Sequence, residues 1–95
     1  MTTLPPIVLD RAWRLDPQVA LRPEPFGALA YHFGTRRLSF LKSRLLLEVV
    51  KQLDHCANAR EACCAAGVPE SEMPRYEQAL GTLAGTGMIE PRDAG

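Results

Sequence analysis

Residues 18–41 read QVALRPEPFGALAYHFGTRRLSFL, and the reading of this stretch decides the fold. Val19 and Leu21 alternate ahead of Pro23 and Pro25. That is a short strand ending in an irregular turn or lying at a sheet edge, because proline has no N–H to give to a ladder. Phe26 to Phe33 is rich in aromatic residues, and Leu29, Tyr31 and Phe33 recur at every second position. This is the period of a strand with one buried face. Gly34-Thr35, with Arg36 close behind, breaks the run as a hairpin turn does. Leu38 and Phe40 then share one face of a further strand. The expectation is a small antiparallel sheet of two or three strands.

The remainder reads as helical. Ser43 is a helix cap, and Leu46, Val49, Val50 and Leu53 follow at i, i+3, i+4 and i+7, which predicts a one-sided helix to about Asp54 or His55. Asn58 with Glu61 three residues on has capping-box spacing, and Gly67 followed by Pro69 is a stop signal. Ser71 is expected to cap a third helix with Pro74 in its first turn and Tyr76, Leu80 and Leu83 along one stripe. Gly87 ends it, Met88 and Ile89 fold back onto the core, and residues 90–95 are expected to be loose. Trp13 lies in a loose N-terminal stretch, and packing on the domain is expected ahead of the alternative, a partner contact. The fold class is therefore α+β: a winged-helix-like domain with a small antiparallel sheet of three strands followed by three helices. It is one domain over residues 1–95, with its core at about 15–90.

The chain has 95 residues, of which 46% are hydrophobic and 23% charged. That supports one globular domain with a modest core. No apolar run approaches the roughly 20 residues that cross a bilayer, and the N-terminus lacks a signal peptide's pattern. The cytosol is the default location. Net charge is zero, yet seven bases face three acids in residues 1–44, while four bases face eight acids in residues 45–95.

The three cysteines, Cys56, Cys63 and Cys64, are an odd number without a C-x-x-C pair. Reduced thiols are expected rather than a disulfide framework. Cys63 and Cys64 are adjacent on an expected helix and point about 100° apart, so with His55 and Cys56 they make a poor zinc site. No metal, cofactor or catalytic residue is expected. The only histidines, His32 and His55, sit in no nucleophile or metal motif, and no phosphate loop follows a strand. A winged-helix DNA-binding protein is the alternative reading. Its recognition helix would be residues 71–87, which carry Glu72, Arg75 and Glu77, the wrong sign for phosphate contacts.

The segment LRPEPFGALAYHFGTRRLSFLKS at residues 21–43, REACCAAGVPESE at 60–72, and the C-terminal pattern of Tyr76, Ala79-Leu80, Leu83 and GMIE at 87–90 together resemble the mycofactocin-system peptide chaperones, a PqqD-like group. The resemblance spans about residues 15–90. It implies a winged-helix fold without chemistry of its own. It also implies binding of the leader region of a ribosomally made precursor peptide, which adds as a strand beside the third strand, and docking on a radical S-adenosylmethionine maturase. No nucleic acid or membrane partner is implied.

The residues support the same picture independently, since a short sheet offers an unpaired edge to which a peptide can add. The expected edge is Arg37, Leu38, Ser39, Phe40 and Leu41, with Arg36 beside it. Tyr76, Leu80 and Leu83 of the third helix, or outward positions of the first helix, are the expected opposite wall, although Leu38, Phe40, Leu80 and Leu83 also suit a core. Arg36, Arg37, Lys42 and Arg44 would favour acidic leader side chains. If the N–H of Ser39 faces the peptide, proline at that position blocks addition. The same edge could pair with its own copy, so monomer and dimer both stay open.

Overall fold

The computed structural model of the chain describes residues 11–92. The expectations for residues 1–10 and 93–95 lie outside the described residues. Strand β1 (Trp13–Leu15) precedes a hairpin of β2 (Val19–Glu24) and β3 (Gly27–His32), and β4 (Leu38–Leu41) follows. Helices α1 (Arg44–Gln52), α2 (Ala59–Ala66) and α3 (Met73–Gly85) come next, and β5 (Ile89–Pro91) closes the chain. The fold is α+β, as expected.

The three-stranded sheet has the order β2-β3-β4, antiparallel throughout, so the proline-bearing β2 is an edge strand. A second, two-stranded sheet pairs β1 with β5, with Trp13 opposite Pro91 and Leu15 opposite Ile89. The sequence reading did not foresee this sheet. It corrects the expectation that residues 90–95 are loose as far as Arg92. The N–H of Arg92 donates to the Ala12 carbonyl at 2.9 Å, and its guanidinium donates to the carbonyls of Asp54 (2.9 Å) and Cys56. Trp13 is buried, at 8% exposure.

Helix α1 forms as its capping predicts. The Ser43 hydroxyl accepts the Leu46 N–H at 2.9 Å, and the last turn tightens into a 3-10 turn at Leu53–His55. Its apolar stripe of Leu46, Val49, Val50 and Leu53, joined by Leu47, lies in the core. In α2, Asn58 Oδ1 accepts the Glu61 N–H at 2.8 Å, and Gly67 ends the helix at φ 97°. Helix α3 departs from expectation at its start. Glu70–Glu72 winds into a 3-10 turn that contains Ser71, so Glu72 is the cap residue and no side chain caps the helix. Pro74 sits in the first turn, where its missing N–H costs nothing.

Gly27 fixes the joint between sheet and helix. Its φ is 150°, and a Cβ there would stand 2.0 Å from the Leu41 carbonyl oxygen and 2.8 Å from the Ser43 nitrogen. Only glycine lets the start of β3 lie against the end of β4 and the cap of α1.

The sequence expectation for β3 is corrected in phase. Its buried face is Ala28, Ala30 and His32, whereas Leu29 and Tyr31 are half-buried and Phe33 is exposed. The inner face joins Val19 and Leu41 in the core, where β3 and β4 pack against α1. Small alanines there leave room for a helix to approach the sheet. The larger side chains consequently stand on the other side.

Candidate functional site

The two free edges of the three-stranded sheet differ in what their backbones offer. On the β4 side, the His32 N–H donates to the Arg37 carbonyl at 2.9 Å. In an antiparallel ladder such bonded pairs recur at every second residue. Ala30 stands opposite Ser39 and Ala28 opposite Leu41, so Ser39 and Leu41 direct their backbone groups to β3. Leu38 and Phe40 direct theirs outward. The outward N–H groups of this edge therefore belong to Leu38 and Phe40, and the condition set for Ser39, that its N–H face the peptide, is not met by the register. On the β2 side, the Phe33 N–H donates to the Gln18 carbonyl at 2.9 Å. With Ala20 opposite Tyr31 and Arg22 opposite Leu29, the outward positions are Val19, Leu21 and Pro23. The Val19 N–H already donates to the Asp16 carbonyl at 2.9 Å, and Pro23 has none. That edge is blunted as natural edges often are.

A concavity of about 350 Å³ opens beside the end of β4. It is lined by Lys42 and Ser43, by Leu46 of α1, and by Arg75, Tyr76 and Ala79 of α3. The expected groove residues separate accordingly. Tyr76 lines the opening and is half-buried. Leu80 (0% exposed), Leu83 (5%) and Leu41 (1%) are core residues and do not line it. Leu38 (51%) and Phe40 (57%) are exposed on the sheet's outward side, so their alternative reading as core is overturned. Ser39 is half-buried between them. Lys42 was expected as a charge flanking the edge, whereas Leu46, Arg75 and Ala79 were not among the expected groove residues. Only the packing of α1 and α3 brings them together. A second concavity of similar size lies under the β2–β3 turn, lined in part by Pro23, Pro25 and Glu48, with no free strand donor beside it from Pro23.

Arg36 and Arg37 sit at the β3–β4 turn, both exposed, and among the described residues neither guanidinium has an ion-pair partner. Arg36 adopts φ 63°, and its N–H donates to the His32 carbonyl at 2.7 Å.

That turn is held by His32, the one buried polar residue among the described core positions. Its Nδ1 accepts the N–H groups of Gly34 (3.0 Å) and Thr35 (3.1 Å). The ring proton therefore sits on Nε2, which faces Asp16 Oδ2 at 3.3 Å. Asp16 Oδ1 accepts the Gln18 N–H at 2.8 Å. That backbone hydrogen bond, aided by His32, holds the Asp16 carboxyl below its usual range. His32 and Asp16 are thus a structural clamp between the turn before β2 and the turn before β4. Their separation in sequence hid them, since neither lies in a motif.

The cysteines divide by environment. Cys63 is buried, and desolvation pushes its thiol up to about 11, so it stays protonated and inert at neutral pH. Cys64 is exposed and Cys56 half-buried. Among the described residues no three of His, Cys, Asp and Glu gather as metal ligands would. No helix of the described residues is long and apolar enough to cross a membrane.

Residues 12–90 match the profile of the peptide chaperone MftB family. The chain belongs to that family. It is 59% identical over 85 residues to the peptide chaperone MftB of Mycobacterium ulcerans, an alignment covering 90% of this chain and 78% of that protein. It is 58% identical over 83 residues to the protein of that name from Mycobacterium tuberculosis, covering 87% and 76%. With the one from Mycolicibacterium smegmatis the identity is 56% over 82 residues, covering 86% and 80%. No solved structure matches. The family is one of peptide chaperones of the mycofactocin system, not of enzymes. The resemblance carried by residues 21–43 and 60–90 is thereby borne out.

Proposed function

We propose that this chain binds the leader region of a ribosomally made precursor peptide as a fourth strand on the free edge of β4, and presents the peptide to a separate radical S-adenosylmethionine maturase. The observation that carries the reading is the pairing of that edge with a cleft. Leu38 and Phe40 direct backbone groups outward, and the concavity between β4, α1 and α3 opens alongside. A peptide strand gains affinity from main-chain hydrogen bonds and selectivity from pockets for alternate side chains. One set of leader side chains falls toward Leu46, Tyr76 and Ala79. Arg36, Arg37 and Lys42 favour carboxylates in the leader. Ser39 holds the edge in place through β3 instead of bonding the peptide.

Calorimetric titration of the chain with the leader half of a mycofactocin-type precursor tests the reading, with Phe40→Pro and Phe40→Ala beside the wild type. The account expects one-to-one binding by wild type. It expects Phe40→Pro to bind severalfold more weakly than Phe40→Ala, because proline removes an outward donor worth roughly 0.5–1.5 kcal/mol and adds a ring to the edge. Equal affinities for the two folded variants would place the peptide elsewhere.

A further inference from the structure

The outward face of the three-stranded sheet carries the side chains that the phase of β3 displaced from the core. Phe26 (46% exposed), Phe33 (62%), Leu38 (51%) and Phe40 (57%) stand there, with Leu29 and Tyr31 between them. The Phe26 and Phe40 rings lie 6.1 Å apart, and Tyr31 and Phe33 meet edge to face at 5.2 Å. The register sets Leu29 opposite Phe40 and Tyr31 opposite Leu38, so the side chains form one continuous surface. Among the described residues nothing packs over it. A connected apolar face of this kind is a mark of a binding surface.

The chain that builds this sheet is basic, and Arg22 lies on the outward face opposite Leu29. Residues 18–42 hold four basic side chains (Arg22, Arg36, Arg37 and Lys42) against the single acid Glu24, which pairs with Arg22 at 3.3 Å. Arg22 stays 81% exposed despite that pairing.

We propose that this face docks a folded protein that presents an apolar patch edged by carboxylates. On the reading above, which the proposal rests on for the partner's identity, that protein is the maturase. An extended peptide is too narrow to be the occupant. Strands lie about 4.8 Å apart, and the patch spreads over β3, β4 and the β2–β3 turn, with Arg22 of β2 at its margin opposite Leu29, whereas an added peptide covers one further strand position. A second copy is disfavoured by charge, because pairing this face with itself sets a basic margin against a basic margin. A carboxylate-edged partner meets the same margin with the opposite sign.

The placement also links the two partners. A leader added at β4 projects alternate side chains onto this same face, beside Phe40 and Leu38. The loaded chain therefore offers the maturase a wider surface than the empty one, so a filled edge strengthens docking.

The test is the affinity of the full chain for the purified maturase, measured by fluorescence anisotropy, with Phe33→Glu/Arg22→Glu as the variant. Both positions lie off the β4 edge. The expected result is a loss of at least tenfold in maturase affinity, with leader affinity unchanged within about twofold. Wild-type docking should weaken as salt rises. Should the double variant melt early, Phe33→Ser removes apolar surface without adding charge and is expected to weaken docking severalfold. Undiminished maturase binding by a folded variant overturns the proposal. Parallel loss of leader binding overturns it too, by assigning the face to the peptide. So would a wild-type dimer, seen by light scattering, that the variant dissolves, or salt-sensitive binding of a single-stranded oligonucleotide that the variant abolishes. Absence of leader binding by wild type with maturase docking intact would sink the peptide reading and leave this surface standing.

Discussion

The two edges of the three-stranded sheet are built from the same kind of strand, yet only one remains open. On β2, the outward positions are Val19, whose N–H is taken by Asp16, then Leu21 and Pro23. On β4, Leu38 and Phe40 direct backbone groups outward beside a cleft lined from α1 and α3. A sheet edge is a hazard to a small protein unless it is blunted or used. Proline on one edge and a cleft on the other show both solutions in one domain. The lesson is that backbone phase, set by a single hydrogen-bonded pair at each turn, decides which residues can meet a partner strand.

The comparison breaks most completely at Gly27. Alanine there puts a Cβ 2.0 Å from the Leu41 carbonyl, in a backbone conformation that side chains disfavour. We expect Gly27→Ala to cost about 3 kcal/mol or more in stability, read by chemical denaturation, and to loosen β4 so that the open edge is lost.

A smaller effect comes from the clamp that ties the two hairpin ends together. Asp16→Asn should cost about 1–2 kcal/mol, since the Gln18 N–H and His32 Nε2–H lose a charged acceptor. The pH dependence has a definite sign. The folded state holds the Asp16 carboxyl below its unfolded value, so its contribution is present at neutral pH and disappears as pH falls through the folded value. The wild type should lose stability on acidification more steeply than Asp16→Asn, which denaturation series across the acidic range would show.

Charge at the open edge ranks next. Reversing both Arg36 and Arg37 to Glu should weaken leader binding severalfold at low salt, with little change at high salt and none in the melting temperature, because both side chains are exposed. Unchanged affinity at low salt would remove electrostatics from the account.

The mildest change sharpens the contrast from the other side. Pro23→Val restores an outward donor to β2. It should leave leader affinity as it was and introduce weak, concentration-dependent self-association, visible by sedimentation velocity.

Much of this architecture is written locally. Ser43, Asn58 and Gly67 announce helix ends because each acts on backbone groups within a few residues, and the structure uses them so. Pro23 announces an edge strand for the same reason. The β3 phase was not legible. Ala28-Ala30-His32 and Leu29-Tyr31-Phe33 alternate equally well, and only the close approach of α1, with Asp16 waiting for His32, selects the smaller set for the interior. The β1–β5 sheet was hidden because its three-residue strands meet across nearly the whole chain. Ser71 misled because a 3-10 turn, set after Pro69, moved the start of α3 beyond it. For the candidate site, Arg37 to Leu41 and Tyr76 could be marked from sequence. Which of Leu38, Ser39 and Phe40 faces outward, and that Leu80 and Leu83 belong to the core, needed the register and the packing.

The most direct test of strand addition at β4 is calorimetric titration of Phe40→Pro against Phe40→Ala with the precursor leader. Both variants lose the exposed ring, and only the proline removes the outward N–H. The account predicts that the proline variant, folded as judged by circular dichroism, binds severalfold more weakly than the alanine variant. Equal affinities for the two would contradict it.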